Sequence, residues 1–120
     1  MGDLHMGEVE TRFANIIWQN EPVPSGELVK LAKAELDWKK STTYTVLKRL
    51  CERGIFQNEG GIVTSLVNKA EFSARQSEEF VNETFEGSLP AFVAAFGSRK
   101  KLSEGDLSQL EELIQKMRRE

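Results

Sequence analysis

WKKSTTYTVLKRLCERGIF, residues 38–56, decides how the rest of this 120-residue sequence is read. Thr43, Val46, Leu47 and Leu50 recur at intervals of three and four, which draws one apolar stripe along a helix. Ser41 stands where a helix cap is expected. At the other end Gly54 follows Arg53 and supplies the left-handed residue of a Schellman motif, with Ile55 packing back on Leu50. Thr42, Tyr44, Thr45, Lys48 and Arg49 point away from the stripe, so hydroxyls and cations share the outer face. Lys39, Lys40, Lys48, Arg49 and Arg53 stand against Glu52 alone, in a chain whose formal net charge is −3. Such a face can enter a DNA major groove about 12 Å wide, early residues meeting base edges and later cations meeting phosphates. Taken alone, five charges on a short helix also describe a plain solvated surface, and the flanking sequence separates the two readings.

Upstream, Met6, Val9, Phe13, Ile16 and Ile17 mark an amphipathic helix over roughly Glu8 to Gln19. Asn20 and Pro22-Val23-Pro24 stop it, because proline lacks an amide donor and disfavours helix in the residue before it. Ser25 is expected to cap a short second helix carrying Leu28, Leu31, Ala32 and Leu36. Downstream, Ile55 to Glu59 and Ile62 to Leu66 flank Gly60-Gly61, the pattern of a hairpin with a two-residue turn. Three helices followed by a hairpin is the order of a winged helix-turn-helix, and Leu36 to Lys40 suits the turn between its second and third helices. The expected fold is therefore mainly α with a small antiparallel β wing.

Residues 1–67 are assigned to this DNA-binding domain and residues 68–120 to a helical dimerisation domain. Asn68 with Glu71 opens a fourth helix, on which Phe72, Gln76, Phe80, Thr84 and Phe85 lie near one face until Gly87. Ser88 and Pro90 begin a fifth with Phe92, Val93 and Phe96. Ser103 with Asp106 begins a sixth, on which Leu107, Leu110, Ile114 and Met117 alternate by three and four. These stripes have few complements within their own half, so their expected partner is a second copy of the chain.

The residue inventory excludes several classes. One cysteine and one histidine permit neither an internal disulfide, nor a His-rich metal site, nor a catalytic triad, and no cofactor is implied. Gly60-Gly61 is too short for a phosphate-binding loop. Glu78, Glu79, Glu83 and Glu86 lack the Glu-x-x-His unit of carboxylate-bridged metal bundles and read as a solvated face. Trp18 and Trp38 read as core plugs, Cys51 as a structural thiol, and His5 has no assigned role. The longest apolar run, Phe92 to Phe96, falls far short of the roughly 20 residues of a membrane span, and the N-terminus carries no apolar signal core. A cytoplasmic protein without enzymatic activity is expected. The acidic total charge and the short wing leave one rival open, a winged helix used only for protein contacts.

Two long stretches, IIWQNEPVPSGELVKLAKAELDWKKSTTYTVLKRLCERGIF and GSLPAFVAAFGSRKKLSEGDLSQLEELI, resemble the penicillinase-repressor (BlaI/MecI) family over nearly the whole chain. The specific pieces are Ile16-Ile17-Trp18, Trp38 with the Thr42 to Leu50 helix, Arg53-Gly54, and Lys101 to Glu104. The resemblance implies a homodimeric transcriptional repressor that sits on a pseudopalindromic DNA operator. It places the family's recognition positions on Ser41, Thr42, Tyr44 and Thr45, with Arg49 towards the backbone. It also implies, for some members, a membrane sensor with a zinc-protease domain that cuts the dimerisation segment, at a position aligning with Ala95-Phe96. The sequence departs from the family in two ways. Its wing is short, with Asn58, Thr64 and Ser65 as the polar contacts, and no Cys-x-Cys pair of the copper-responsive branch follows Met117.

Overall fold

The computed structural model describes residues 6–120; His5 lies outside the described residues. Helix α1 spans Glu8–Asn20 and buries Phe13, Ala14, Ile16 and Ile17. Met6 joins that core, whereas Val9, expected on the same stripe, is exposed. The proline segment does more than stop α1. Val23–Pro24 forms β1, a two-residue strand that the sequence reading missed. It lies on the edge of the sheet, where a proline's missing donor costs no ladder bond.

Helix α2 (Ser25–Leu36) buries Leu28 and Ala32, and α3 (Lys40–Glu52) buries Thr43, Val46, Leu47 and Leu50 as the periodicity requires. Both serines expected to cap these helices do something else. The N-cap positions are Pro24 and Lys39, neither helix has a side-chain cap bond, and each helix begins early enough to take its serine into the first turn. The close of α3 follows expectation: Ile55 N–H donates to the Leu50 carbonyl at 3.2 Å and Gly54 N–H to that of Cys51 at 3.0 Å. Gly54 sits at φ 79°, the left-handed conformation this double bond pattern needs.

Strands β2 (Phe56–Glu59) and β3 (Ile62–Ser65) pair antiparallel from Phe56 opposite Ser65 to Glu59 opposite Ile62. Gly60 and Gly61, at φ 59° and 83°, supply the two positive φ values of a type I′ turn. β1 adds to the other side of β3, giving the order β1-β3-β2. Phe13, Ile17, Leu28, Leu50, Ile55, Phe56 and Val63 fill the space between helices and sheet. Trp18 closes one end of this core, its Nε1 donating to the Val67 carbonyl at 3.0 Å and its ring 5.2 Å from that of Phe56. Trp38 stacks at 5.0 Å on Phe13. Both tryptophans are thus packing residues.

Contacts divide the chain into two compact units, the first closing at Glu78 and the second running Glu79–Glu120. The division falls inside α4 (Lys69–Phe85), beyond the 67/68 boundary expected from the sequence. The reason is Phe72, which is buried and sits 5.5 Å from the Trp18 ring, so the first turns of α4 complete the first core.

In the second unit, α5 (Leu89–Arg99) is capped by Ser88 Oγ, which accepts from Ala91 N–H at 3.1 Å. Helix α6 (Glu104–Arg119) is capped by Ser103 Oγ, accepting from Asp106 N–H at 3.0 Å. Phe92 gathers the aromatic residues of this unit, 6.0 Å from Phe80, 5.6 Å from Phe85 and 6.3 Å from Phe96. No residue of α5 or α6 is fully buried in the single chain. Val93, Phe96, Leu107, Leu110, Ile114 and Met117 are exposed, and so is Leu113, which the sequence reading left out of the seam.

Candidate nucleic-acid interface

The interface candidate is the outer face of α3. Its inner residues are fixed by burial, since Thr43, Leu47 and Leu50 are at most 2% exposed and Val46 is 8% exposed. With those four held in the core, helical geometry turns Ser41, Thr42, Tyr44, Thr45, Lys48 and Arg49 outward, and all six are exposed, as are Lys39 and Lys40 ahead of them. All eight residues assigned to DNA contact on and just ahead of α3 are therefore exposed to solvent.

Their hydrogen bonds differentiate them. Thr45 Oγ1 donates to the Ser41 carbonyl at 2.9 Å, so its hydroxyl proton is engaged within the helix. The Tyr44 hydroxyl donates to Ser25 Oγ at 3.2 Å, tying the helix to the start of α2. Arg49 and Arg53 lie 3.8 Å and 3.7 Å from the carboxylate of Glu10 on α1. Both separations exceed a hydrogen bond, and the Arg49 side chain is 49% exposed. Solvent screening limits such a pair to less than about 1 kcal/mol, so a phosphate can compete with Glu10 for Arg49. Sequence reading assigned Arg49 a backbone role but did not detect Glu10, because nothing local links residues so far apart in the chain.

Two of the wing's three expected polar contacts are engaged within the protein. Ser65 donates its amide to Glu21 Oε1 at 2.7 Å and its hydroxyl to both Glu21 oxygens at 2.8 and 2.9 Å. Thr64 Oγ1 accepts from Gln57 Nε2 at 3.1 Å. Of the three expected wing contacts, Asn58 alone is exposed. It joins Tyr44, Leu47, Lys48 and Cys51 around a shallow hollow of about 340 Å³ between α3 and the wing. Burial pushes the Cys51 thiol up from its ordinary value, and the Glu52 charge adds to that shift. The neutral thiol is a poor nucleophile and a poor metal ligand. Among the described residues no group of three His, Cys, Asp or Glu side chains could hold a metal ion, and no helix is long and apolar enough to cross a membrane.

Three helices, a type I′ hairpin and a polar, basic face on the third helix define a winged helix-turn-helix protein, here followed by a helical C-terminal unit. The chain belongs to the penicillinase repressor family, whose family model matches residues 6–116. It is 24% identical over 115 residues to the methicillin resistance regulatory protein MecI of Staphylococcus aureus (strain Mu50 / ATCC 700699), covering 92% of this chain and 94% of the relative. The MecI protein of Mammaliicoccus sciuri is 23% identical with the same coverage. The penicillinase repressor of Bacillus licheniformis is 22% identical over 114 residues, covering 92% of this chain and 89% of its own length.

Proposed function

We propose that this member of the family is a homodimeric transcriptional repressor that reads a pseudopalindromic DNA operator in the cytoplasm, one α3 helix to each half-site. The observation that carries the reading is the exposed α3 face, on which Thr42, Tyr44 and Thr45 precede Lys48 and Arg49. That order matches base contact near the helix start and phosphate contact further along. Lys39 at the N-cap of α3, with Lys40 and Ser41 in its first turn, would approach the same duplex. No cofactor or metal is needed, since reading and gripping are both done by side chains.

The second half of the proposal is the dimer. Leu107, Leu110, Ile114 and Met117, with Phe92, Val93 and Phe96, supply an apolar surface that a second copy of the chain would cover. Two linked heads then bind with the gain in effective concentration that a single head lacks. Relief of repression by a membrane sensor-protease is the route the family suggests. Its cut would fall between Ala95 and Phe96, inside α5, so the helix must open locally before a protease can hold the bond in extended form.

Binding to random duplex across a salt series tests the proposal against the rival of a protein-contact module. Neutralising several phosphates releases counterions and gives a steep fall of affinity with salt, whereas a protein-contact module shows no such slope. A flat, weak profile at every salt concentration would overturn the DNA reading.

A further inference from the structure

Ser25 has been released from the role its position suggests. Pro24 occupies the N-cap of α2, and the Ser25 side chain caps nothing. Instead its amide donates to the Gly61 carbonyl at the wing turn, at 2.7 Å, and its hydroxyl accepts from the Tyr44 hydroxyl at 3.2 Å. One residue is therefore bonded through its backbone to the wing and through its side chain to α3. A Cβ built on Gly61 would lie 4.0 Å from Ser25 Oγ, which places that hydroxyl against the turn itself.

The consequence falls on Tyr44. It is 36% exposed, and apart from this bond its phenol could swing over the open face of the helix. Of two hydroxyls in contact, a phenol is the more acidic and hence the better donor, so the proton lies towards Ser25. The phenol oxygen is then left with lone pairs and no proton to offer. In the major groove the complementary groups are the exocyclic amines, N4 of cytosine and N6 of adenine, while guanine O6 and N7 and thymine O4 offer only acceptors.

We propose that Ser25 is a positioning residue for sequence recognition: by holding the Tyr44 hydroxyl as its donor, it makes Tyr44 an acceptor that selects a base carrying an exocyclic amine. This rests on the reading of α3 as the DNA-recognition helix, and it adds a residue outside that helix together with the class of base that Tyr44 prefers.

The test is selection from a randomised duplex library by the full chain, with thermal unfolding of each variant measured alongside. The wild-type chain is expected to select a defined base pair near Tyr44 in each half-site, and its affinity is expected to fall when the adenine or cytosine of that pair is replaced by an analogue lacking the exocyclic amine. Ser25→Ala is expected to lower the preference at that base pair roughly 3- to 10-fold, the scale of one hydrogen bond, and to leave other positions and the salt slope as they were. Tyr44→Phe should flatten the same position. The double variant should lose no more than Tyr44→Phe alone, and Ser25→Thr should restore the preference. A merely structural role would instead weaken all positions together and lower the unfolding temperature. An unchanged preference in Ser25→Ala, or full affinity for a site whose adenine or cytosine at that pair lacks its exocyclic amine, would overturn the proposal. A wild-type chain that selects no sequence at all would remove the DNA reading beneath it, an outcome visible before any variant is compared.

Discussion

Glu10 on α1 holds its carboxylate 3.8 Å from the guanidinium of Arg49 on α3. The outermost cation of the proposed reading helix is thus shared between the protein and any phosphate that approaches. A shared cation lowers non-specific affinity without touching base readout. Glu10→Gln should therefore strengthen binding to random duplex and steepen the dependence of log affinity on log salt by up to about 0.9. Anisotropy titrations at several salt concentrations measure both, and an unchanged slope would mean that Arg49 does not meet phosphate.

The residues of α3 should divide by phenotype. Lys48→Ala is expected to weaken all sequences alike and to flatten the salt slope by about 1. The Thr45 hydroxyl proton goes to the Ser41 carbonyl, which leaves the methyl group as the part of this side chain expected to contact a base. Thr45→Ala should relax sequence preference by about 1–3 kcal/mol, whereas Thr45→Val, which keeps the methyl, should retain it. Equal losses on specific and random duplex for Lys48→Ala and Thr45→Ala would erase the distinction between gripping and reading.

Helix periods and turn chemistry carry information that is local in sequence, and those features were legible. The α3 stripe, the Gly54 closure and the Gly60-Gly61 turn all depend on residues within a few positions of one another. What escaped was set by distant partners. The strand β1 exists because β3 lies beside it, although two residues, one of them a proline, carry no strand signal of their own. Nothing local in the sequence links the wing residue Ser65 to Glu21, 44 residues away, which accepts its hydroxyl proton. Ser25 and Ser41 have the right chemistry for caps, yet the start of a helix is fixed by where its backbone ladder begins, and the N-caps are Pro24 and Lys39, ahead of both serines. On α4 a single periodic stripe hid a division, because Phe72 packs into the first core and Phe80 and Phe85 into the second unit.

That division sets where the chain can be cut. A fragment ending at Val67 lacks Phe72, leaving Trp18 uncovered on one side. Loss of a buried phenylalanine costs about 3–5 kcal/mol, a large part of the stability of a small domain. A fragment ending at Glu78 should unfold cooperatively in urea at a midpoint well above that of the shorter one. Equal midpoints would show that α4 contributes nothing to the first core.

Cys51 should be slow to react. Its thiol is held up by burial and by Glu52, and only the thiolate is nucleophilic. Alkylation of the native chain at neutral pH should run below that of a free thiol, and its rate should climb with pH later than the free thiol's does. Denaturant should abolish the difference. Rapid labelling of the folded chain at neutral pH would contradict the environment described for it.

The α6 seam offers the sharpest test of assembly. Leu107, Leu110, Leu113, Ile114 and Met117 expose between 37% and 59% of their surface in the single chain. Covering the part of each side chain still exposed, close to half, contributes about 0.7–1.5 kcal/mol, and such residues summed over two protomers reach the scale of the association cost. Leu110→Asp places a charge where the partner's apolar side chains would lie, and desolvating an unpaired carboxylate costs more than the leucine contributed. Leu110 is 37% exposed and already partly covered within its own protomer, so circular dichroism of the variant should show unchanged helix content before its assembly is compared. Sedimentation at micromolar concentration should show a dimer for the wild-type chain and a monomer for the variant. Each isolated head keeps its α3 face, so random-duplex binding per head should persist while operator affinity falls by orders of magnitude with the loss of effective concentration. A variant that stays dimeric would move the interface away from α6 and onto the Phe92, Val93 and Phe96 surface, where Val93→Asp would then be the substitution that separates the protomers.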